Sequence, residues 1–197
     1  MMNLFYENLP TSITVGLREV PIVTDFREII KLMDAIKDES LTDSEKLSIC
    51  LEYFMEDIDM DDVIEAIESL LDFINMTATE PDPIYTEDEE NDEEDDMETT
   101  VQETYSFSFD FPYILGGFRQ AYGIDLLNIE YMHWWEFKSL FNGLPEDTEI
   151  KKRIMYRGIN TSEIKNKDER QRVRRIQMAI ALPAKILSDN EIGDAFW

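Results

Sequence analysis

The strongest constraint on this fold is an acidic run in the middle of the chain. Between Glu87 and Glu98, ten residues are acidic and none is basic. Like charges at this density repel one another, and so few apolar residues cannot offset the entropy that is lost on ordering. We therefore expect residues 78–104, which also contain two prolines, to form a disordered acidic insert between two foldable segments.

The segment before the insert predicts a β-hairpin followed by three helices. The β-prone runs at 13–15 and 20–23 flank Gly16, and Pro21 would confine the second run to a sheet edge. Apolar residues then recur at helical spacing. The helix starts are predicted at Thr24–Asp25, at Thr42–Ser44 and near residue 60.

The segment after the insert predicts a short strand and four helices. Residues 105–111 alternate with period two, which is typical of a strand, and we expect a short strand that passes into a helix at Asp110. Asp110 followed by Pro112 predicts a helix start, and Gly123 the end of that helix. Further helices are expected over about 130–142, up to residue 158, and over about 168–181.

Together these elements predict a mainly α fold. We expect a single helical domain with a small N-terminal β-hairpin and a disordered acidic insert. The hairpin and three helices occupy 1–77, the insert 78–104, an aromatic-rich helical part of the same domain 105–183, and a loose C-terminal tail 184–197.

The charge of the chain excludes some classes of partner. With 44 acidic and 18 basic residues, the net charge is −26, which disfavours binding to nucleic acid or to an anionic membrane. Residues 150–185 nevertheless hold 11 basic and only three acidic residues. This block favours pairing within the molecule, a solvated helix surface or an acidic protein partner over nucleic acid.

The ends of the chain and its cysteine content indicate a protein of a reducing interior. The N-terminus has no signal-peptide pattern, and no apolar run reaches the ~18 residues that a spanning helix needs. Cys50 is the only cysteine, so an internal disulfide is excluded, and we expect a buried, inert thiol.

Few residues have the spacing of a metal or catalytic site. Asp57, Asp59, Asp61 and Glu68 have the spacing of a calcium loop, but Asp62 stands where that loop needs glycine. An acidic helix start explains the same residues. Because the sequence has no glycine-rich phosphate loop, nucleophile elbow or paired-cysteine motif, we expect a non-enzymatic protein without metal or cofactor.

An aromatic stretch around the only histidine is the most distinctive part of the sequence. Met132 and Trp135 fall on the polar side of the predicted helix, which indicates a contact surface, either within the molecule or for a partner. The opposite, inward side is expected to contain His133, Trp134, Phe137, Leu140 and Phe141.

This stretch resembles a family of phages and prophages of Gram-positive bacteria, known as gene-product-fifteen. The motifs that carry the resemblance are Thr-Asp-Phe-Arg at 24–27, the aromatic approach at 105–111, Tyr-Gly-Ile-Asp-Leu at 122–126, His-Trp-Trp-x-Phe at 133–137, Leu-Phe at 140–141, Gly-Leu-Pro-Glu-Asp-Thr at 143–148 and Met-Tyr-Arg at 155–157. The acidic insert departs from the family pattern because it is longer than we would expect.

The resemblance implies a tail assembly chaperone of a long-tailed phage, without catalytic residues. Its implied partners are the tape measure protein, the tail tube protein and a companion tail chaperone, besides self-association. It would act in the host bacterial cytoplasm and be absent from the mature virion. We expect the client contacts at Met132, Trp135, Phe196 and Trp197. Two other functions stay open: a structural virion component such as a tail or connector adaptor, and an acidic DNA-mimic regulator of a host protein.

Overall fold

The computed structural model describes residues 7–79 and 103–183 and is mainly helical. This confirms the predicted fold class, with a small two-stranded antiparallel hairpin near the N-terminus. The acidic run at 87–98 and the tail at 184–197 lie outside the described residues. The elements in chain order are β1 (Ser12–Val15), β2 (Arg18–Pro21), α1 (Phe26–Lys37), α2 (Asp43–Leu51), α3 (Val63–Asn75), α4 (Phe111–Tyr122), α5 (Trp134–Asn142), α6 (Glu149–Gly158) and α7 (Lys167–Ile180).

The hairpin closes through a tight turn at the predicted glycine. Val15 pairs with Arg18, and Gly16 adopts a φ of +62°, a conformation that glycine takes without steric cost. The chain after α2 then runs alongside β2. An isolated bridge joins Ile22 to Phe54, and the Met55 N–H donates to the Pro21 carbonyl at 2.9 Å.

The helix starts of the N-terminal segment follow the sequence signals. The Asp25 side chain caps α1 by accepting from the Arg27 N–H, and Thr42 forms a capping box with Glu45 at the start of α2. However, α2 ends at Leu51, whereas its apolar periodicity continues to Ile58. The helix stops early because residues 53–55 hydrogen-bond to the strand segment at 21–23 instead.

The described residues divide into two compact units. The first unit contains residues 7–79 and 125–143, with 21 acidic and 6 basic residues and a net charge of −15. The second unit contains residues 103–124 and 144–183, with 8 acidic and 11 basic residues and a net charge of +3. The charge of the chain is therefore divided unevenly between the two units.

The start of the second unit differs from the sequence prediction. Residues 105–106 have no regular structure and 107–110 form a turn, so the predicted strand is absent. The Asp110 N–H donates to the Ser106 carbonyl at 2.9 Å and closes this turn. Helix α4 follows directly after Asp110, as predicted. It ends at Gly123, whose φ is +69°.

Candidate functional site

Two of the motifs that the sequence singles out pair with each other in the first unit. The Phe26 N–H donates to the Met132 carbonyl at 3.1 Å, and the Trp134 N–H donates to the Thr24 carbonyl at 2.8 Å. Arg27 also donates to the Ile129 carbonyl. The start of α1 and the start of α5 are therefore held together by backbone hydrogen bonds.

His133 is the residue at which this pairing turns into α5. It precedes the helix and caps it, since its Nδ1 accepts from the Trp135 N–H at 3.0 Å. Its Nε2 donates to the Pro10 carbonyl at 2.8 Å. Burial lowers the pKa of the imidazole below its ordinary value of 6.5. The ring is therefore a neutral structural group with both nitrogens engaged. The sequence predicts His133 on the inward side of a helix. The residue is buried, as predicted, but its position inside the helix is wrong because it precedes α5.

The tryptophan pair closes the C-terminal end of α3. Indole Nε1 of Trp134 donates to the Ile74 carbonyl at 2.8 Å, and that of Trp135 donates to the Phe73 carbonyl at 2.8 Å. Lys138 adds a bond to the Asn75 carbonyl at 2.8 Å. The last carbonyls of a helix have no partner within the helix, and a cation there also complements its dipole. We call Trp134, Trp135 and Lys138 the tryptophan clamp.

The structure places Met132 and Trp135 in the interior. Their side chains are 1% and 2% exposed. Of the two kinds of contact that the sequence leaves open for them, the structure shows the one within the molecule, and only their placement on the polar side of the helix is wrong. The error comes from the helix start. Because α5 begins at Trp134 rather than near residue 130, a helical wheel does not apply to Met132. Phe196 and Trp197 lie outside the described residues.

The inward side of α5 agrees with its apolar periodicity. Trp134, Phe137 and Phe141 are buried, and Leu140 is half-buried. The Phe137 ring stacks on Phe26 with 4.5 Å between the ring centroids. The aromatic residues of α5 are thus part of the core of the first unit.

The second unit contains a buried ion pair that sequence reasoning missed. Arg157 of α6 makes two bonds to Asp110, at 2.6 and 2.9 Å, and the two side chains are 4% and 0% exposed. Arg157 also donates to the carbonyls of Thr104 and Ile180. It therefore joins the segment before α4 to the end of α7. The available signal was the position of Arg157 at the end of the Met-Tyr-Arg motif.

The remaining candidate chemistry has a structural explanation. The residues with calcium-loop spacing do not form such a loop, since α3 begins at Val63 and places Glu68 inside the helix. Cys50 is buried, and burial raises the pKa of its thiol. Over 7–79 and 103–183, no group of three or more His, Cys, Asp or Glu side chains is arranged to hold a metal ion. In the same ranges, no helix has the length and apolarity needed to cross a membrane.

Comparison with known proteins identifies the family. A family model described as Bacteriophage Gp15 protein matches residues 5–182. This places the chain in the class of phage structural or assembly proteins. The chain belongs to the Bacteriophage Gp15 protein family, in agreement with the resemblance of its motifs. No curated protein and no solved structure matches the chain significantly.

Proposed function

We propose that this protein is a phage tail assembly chaperone that binds the tape measure protein, the tail tube protein or both. It acts without catalysis in the host cytoplasm and leaves before the virion is complete. The observation that supports this proposal most strongly is family membership across residues 5–182. The class of phage structural or assembly proteins follows from the family, and the chaperone role is our extension of it.

The charge and the surface of the chain support a chaperone role. A tape measure protein is expected to be a long helix with an apolar seam, which aggregates when it is alone in water. A carrier needs exposed apolar surface to cover the seam and net charge to keep the complex in solution. This chain has a net charge of −26, and several of its large apolar side chains are almost fully exposed, among them Leu17, Met60 and Met178.

Co-expression with the tape measure protein tests the proposal. We expect the soluble fraction of the tape measure protein to rise when this chain is present, and the two to co-purify. An unrelated helical protein of similar net charge is the control, because it separates specific binding from a general effect of charge. An unchanged soluble fraction without co-purification would refute the chaperone function.

The competing functions are separated by two further observations. A structural virion component would be found in purified particles at a fixed copy number, whereas a chaperone is absent from them. A DNA-mimic regulator would lose its activity when residues 84–100 are deleted, whereas a chaperone is expected to keep at least part of its effect on client solubility. The exposed apolar side chains favour the chaperone, because a DNA mimic needs charge rather than apolar surface.

A further inference from the structure

Three large apolar side chains are exposed at one end of the first unit. Leu17 lies in the turn of the hairpin, Met60 in a short 3-10 helix at 60–62, and Ile64 in the first turn of α3. Their side chains are 106%, 87% and 75% exposed. A single exposed apolar residue is ordinary, but a group of them marks a surface for interaction.

Hydrogen bonds hold these side chains near one another. The Gly16 N–H donates to a Glu65 carboxylate oxygen at 2.8 Å, so the hairpin turn lies against the first turn of α3. On the other side of the turn, Nη2 of Arg18 lies 3.8 Å from Oδ2 of Asp59. Asp59 directly precedes the 3-10 helix. These contacts place the hairpin turn beside Asp59 and the first turn of α3, so the three side chains project from adjacent segments, and we call them the apolar patch.

The elements beneath the patch are fixed in place. The Ser69 hydroxyl donates to the Thr14 carbonyl at 3.0 Å and ties α3 to β1. Val15 and Val20 fill the inward side of the hairpin and are buried. The Leu17 side chain therefore cannot turn towards the interior without breaking the hairpin. The patch is a preformed surface, and preformed surfaces lose less entropy when they bind.

The rim of the patch specifies the charge of the occupant. Residues 55–68 contain seven acidic residues and no basic one, and the first unit carries a net charge of −15. Arg18 is a basic residue beside them and pairs with Asp59. The rim comprises Glu56, Asp57, Asp59, Asp61, Asp62, Glu65 and Glu68. Acidic residues next to exposed apolar side chains complement a segment in which lysine or arginine flanks an apolar seam. The same residues repel an acidic segment, so they also provide selectivity.

We propose that the apolar patch binds a basic amphipathic helix of a partner protein. The apolar seam of the helix covers Leu17, Met60 and Ile64, and its basic residues face the acidic rim. A helix with apolar residues at spacings of three and four fits such a compact surface, and the flexible thioether of Met60 adapts to different seams. That the natural helix belongs to the tape measure protein rests on the proposed function, whereas the binding mode itself does not.

A synthetic peptide tests the binding mode with the full chain. The probe is an 18-residue helical peptide with leucine on one side and lysine on the other, and its dissociation constant is measured by fluorescence anisotropy. The test variant is L17S/M60S/I64S, which leaves the net charge unchanged. The matched control is L127S/M155S/M178S, which removes three exposed apolar side chains outside the patch. Circular dichroism verifies that both variants fold.

We expect the patch variant to bind the peptide at least tenfold more weakly than the unchanged chain, and the control variant to bind within twofold of it. A peptide with glutamate in place of lysine should not bind. Equal affinity of both variants would overturn the inference, because binding would then depend on charge alone. If the patch variant changed only the oligomeric state of the chain, measured by light scattering, the occupant would be a second copy and the inference would also be wrong.

The patch variant and a matched control separate this inference from the proposed function. In the co-expression assay, the control is L127S/M155S, which leaves Met178 in place, and loss of tape measure solubility with the patch variant but not with this control supports both. If both variants keep the tape measure protein soluble, the chaperone function stands and the patch is not its binding site. Peptide binding at the patch without any effect of the unchanged chain on the tape measure protein supports the binding mode and contradicts the proposed client.

Discussion

Removing the buried cation of the second unit should cost a large part of its stability. In Arg157→Ala, Asp110 loses the two bonds that pair its carboxylate, while the side chain stays fully buried. The carbonyls of Thr104 and Ile180 each lose a donor as well. Breaking a buried ion pair by removing one partner typically costs about 3–5 kcal/mol. A folded domain is stable by only about 5–15 kcal/mol.

Urea denaturation followed by circular dichroism at 222 nm measures this loss. With a denaturant dependence of about 2 kcal/mol per M, a loss of 4 kcal/mol lowers the midpoint by roughly 2 M. Lys152→Ala is the matched control, because it removes one positive charge from the same helix at an exposed position. It should change the free energy of unfolding by no more than about 0.5 kcal/mol.

A double variant separates the buried charge from the lost packing. Asp110→Asn in the background of Arg157→Ala removes the uncompensated carboxylate, so we expect the double variant to be more stable than Arg157→Ala alone. The reasoning is refuted if Arg157→Ala loses less than about 1 kcal/mol, or if the second substitution lowers stability further. In either case, Asp110 would be compensated by groups other than Arg157.

Three further predictions concern the tryptophan clamp, His133 and the end of α4. Trp135→Phe keeps a ring in the core but removes one of the two donors to the buried Phe73 carbonyl, which keeps the Met76 N–H, so chemical denaturation should show a loss of about 0.5–1.5 kcal/mol. Because the folded pKa of His133 is lowered, the unfolded chain takes up the proton first. The contribution of His133 to the free energy of unfolding is therefore complete above about pH 6.5 and falls as the pH drops towards the folded pKa. In urea titrations from pH 8 to 5, His133→Asn should remove this part of the pH dependence. Gly123→Ala places a Cβ in open space at a φ of +69°, so its thermal denaturation should show a purely conformational cost of about 1–2 kcal/mol. Gly116→Ala, inside α4 and also open, should instead gain about 0.5–1 kcal/mol.

The helix starts were predictable because their signals are local. Asp25 and Thr42 cap helices through side-chain bonds to residues two and three positions later, so the sequence alone contains the whole interaction. Gly123 likewise ends α4 because no other residue takes its backbone conformation as readily. For such positions, tertiary structure adds little to what the residue types already dictate.

The interior of the candidate site was not predictable because its partners are distant in sequence. Trp135 has the spacing of a surface residue, yet it is buried against the end of α3, about 60 residues earlier, where it stacks on Phe73 and donates to the Phe73 carbonyl. Asp110 carries a helix-start signal, yet it makes no side-chain cap and pairs with Arg157 instead. In both cases a long-range polar contact decides the position of the side chain, and periodicity does not record such contacts.

The surroundings of the apolar patch were only partly predictable from the sequence. The acidic residues at 56–68 suggest a calcium loop by spacing and a helix start by context. The structure adds Leu17, which comes from the hairpin and is brought to these residues by Gly16 and Arg18. These two contacts place exposed apolar side chains next to the acidic residues, which the sequence alone does not indicate.

The chaperone role is tested most directly by quantitative mass spectrometry of one infected culture in two fractions. The first fraction is material bound to this chain before tails are complete, and the second is purified particles. We expect the tape measure protein to be strongly enriched in the first fraction and this chain to be absent from the second. Retention of this chain in the particles at a fixed copy number, without the tape measure protein in the first fraction, would contradict the account and identify a structural component.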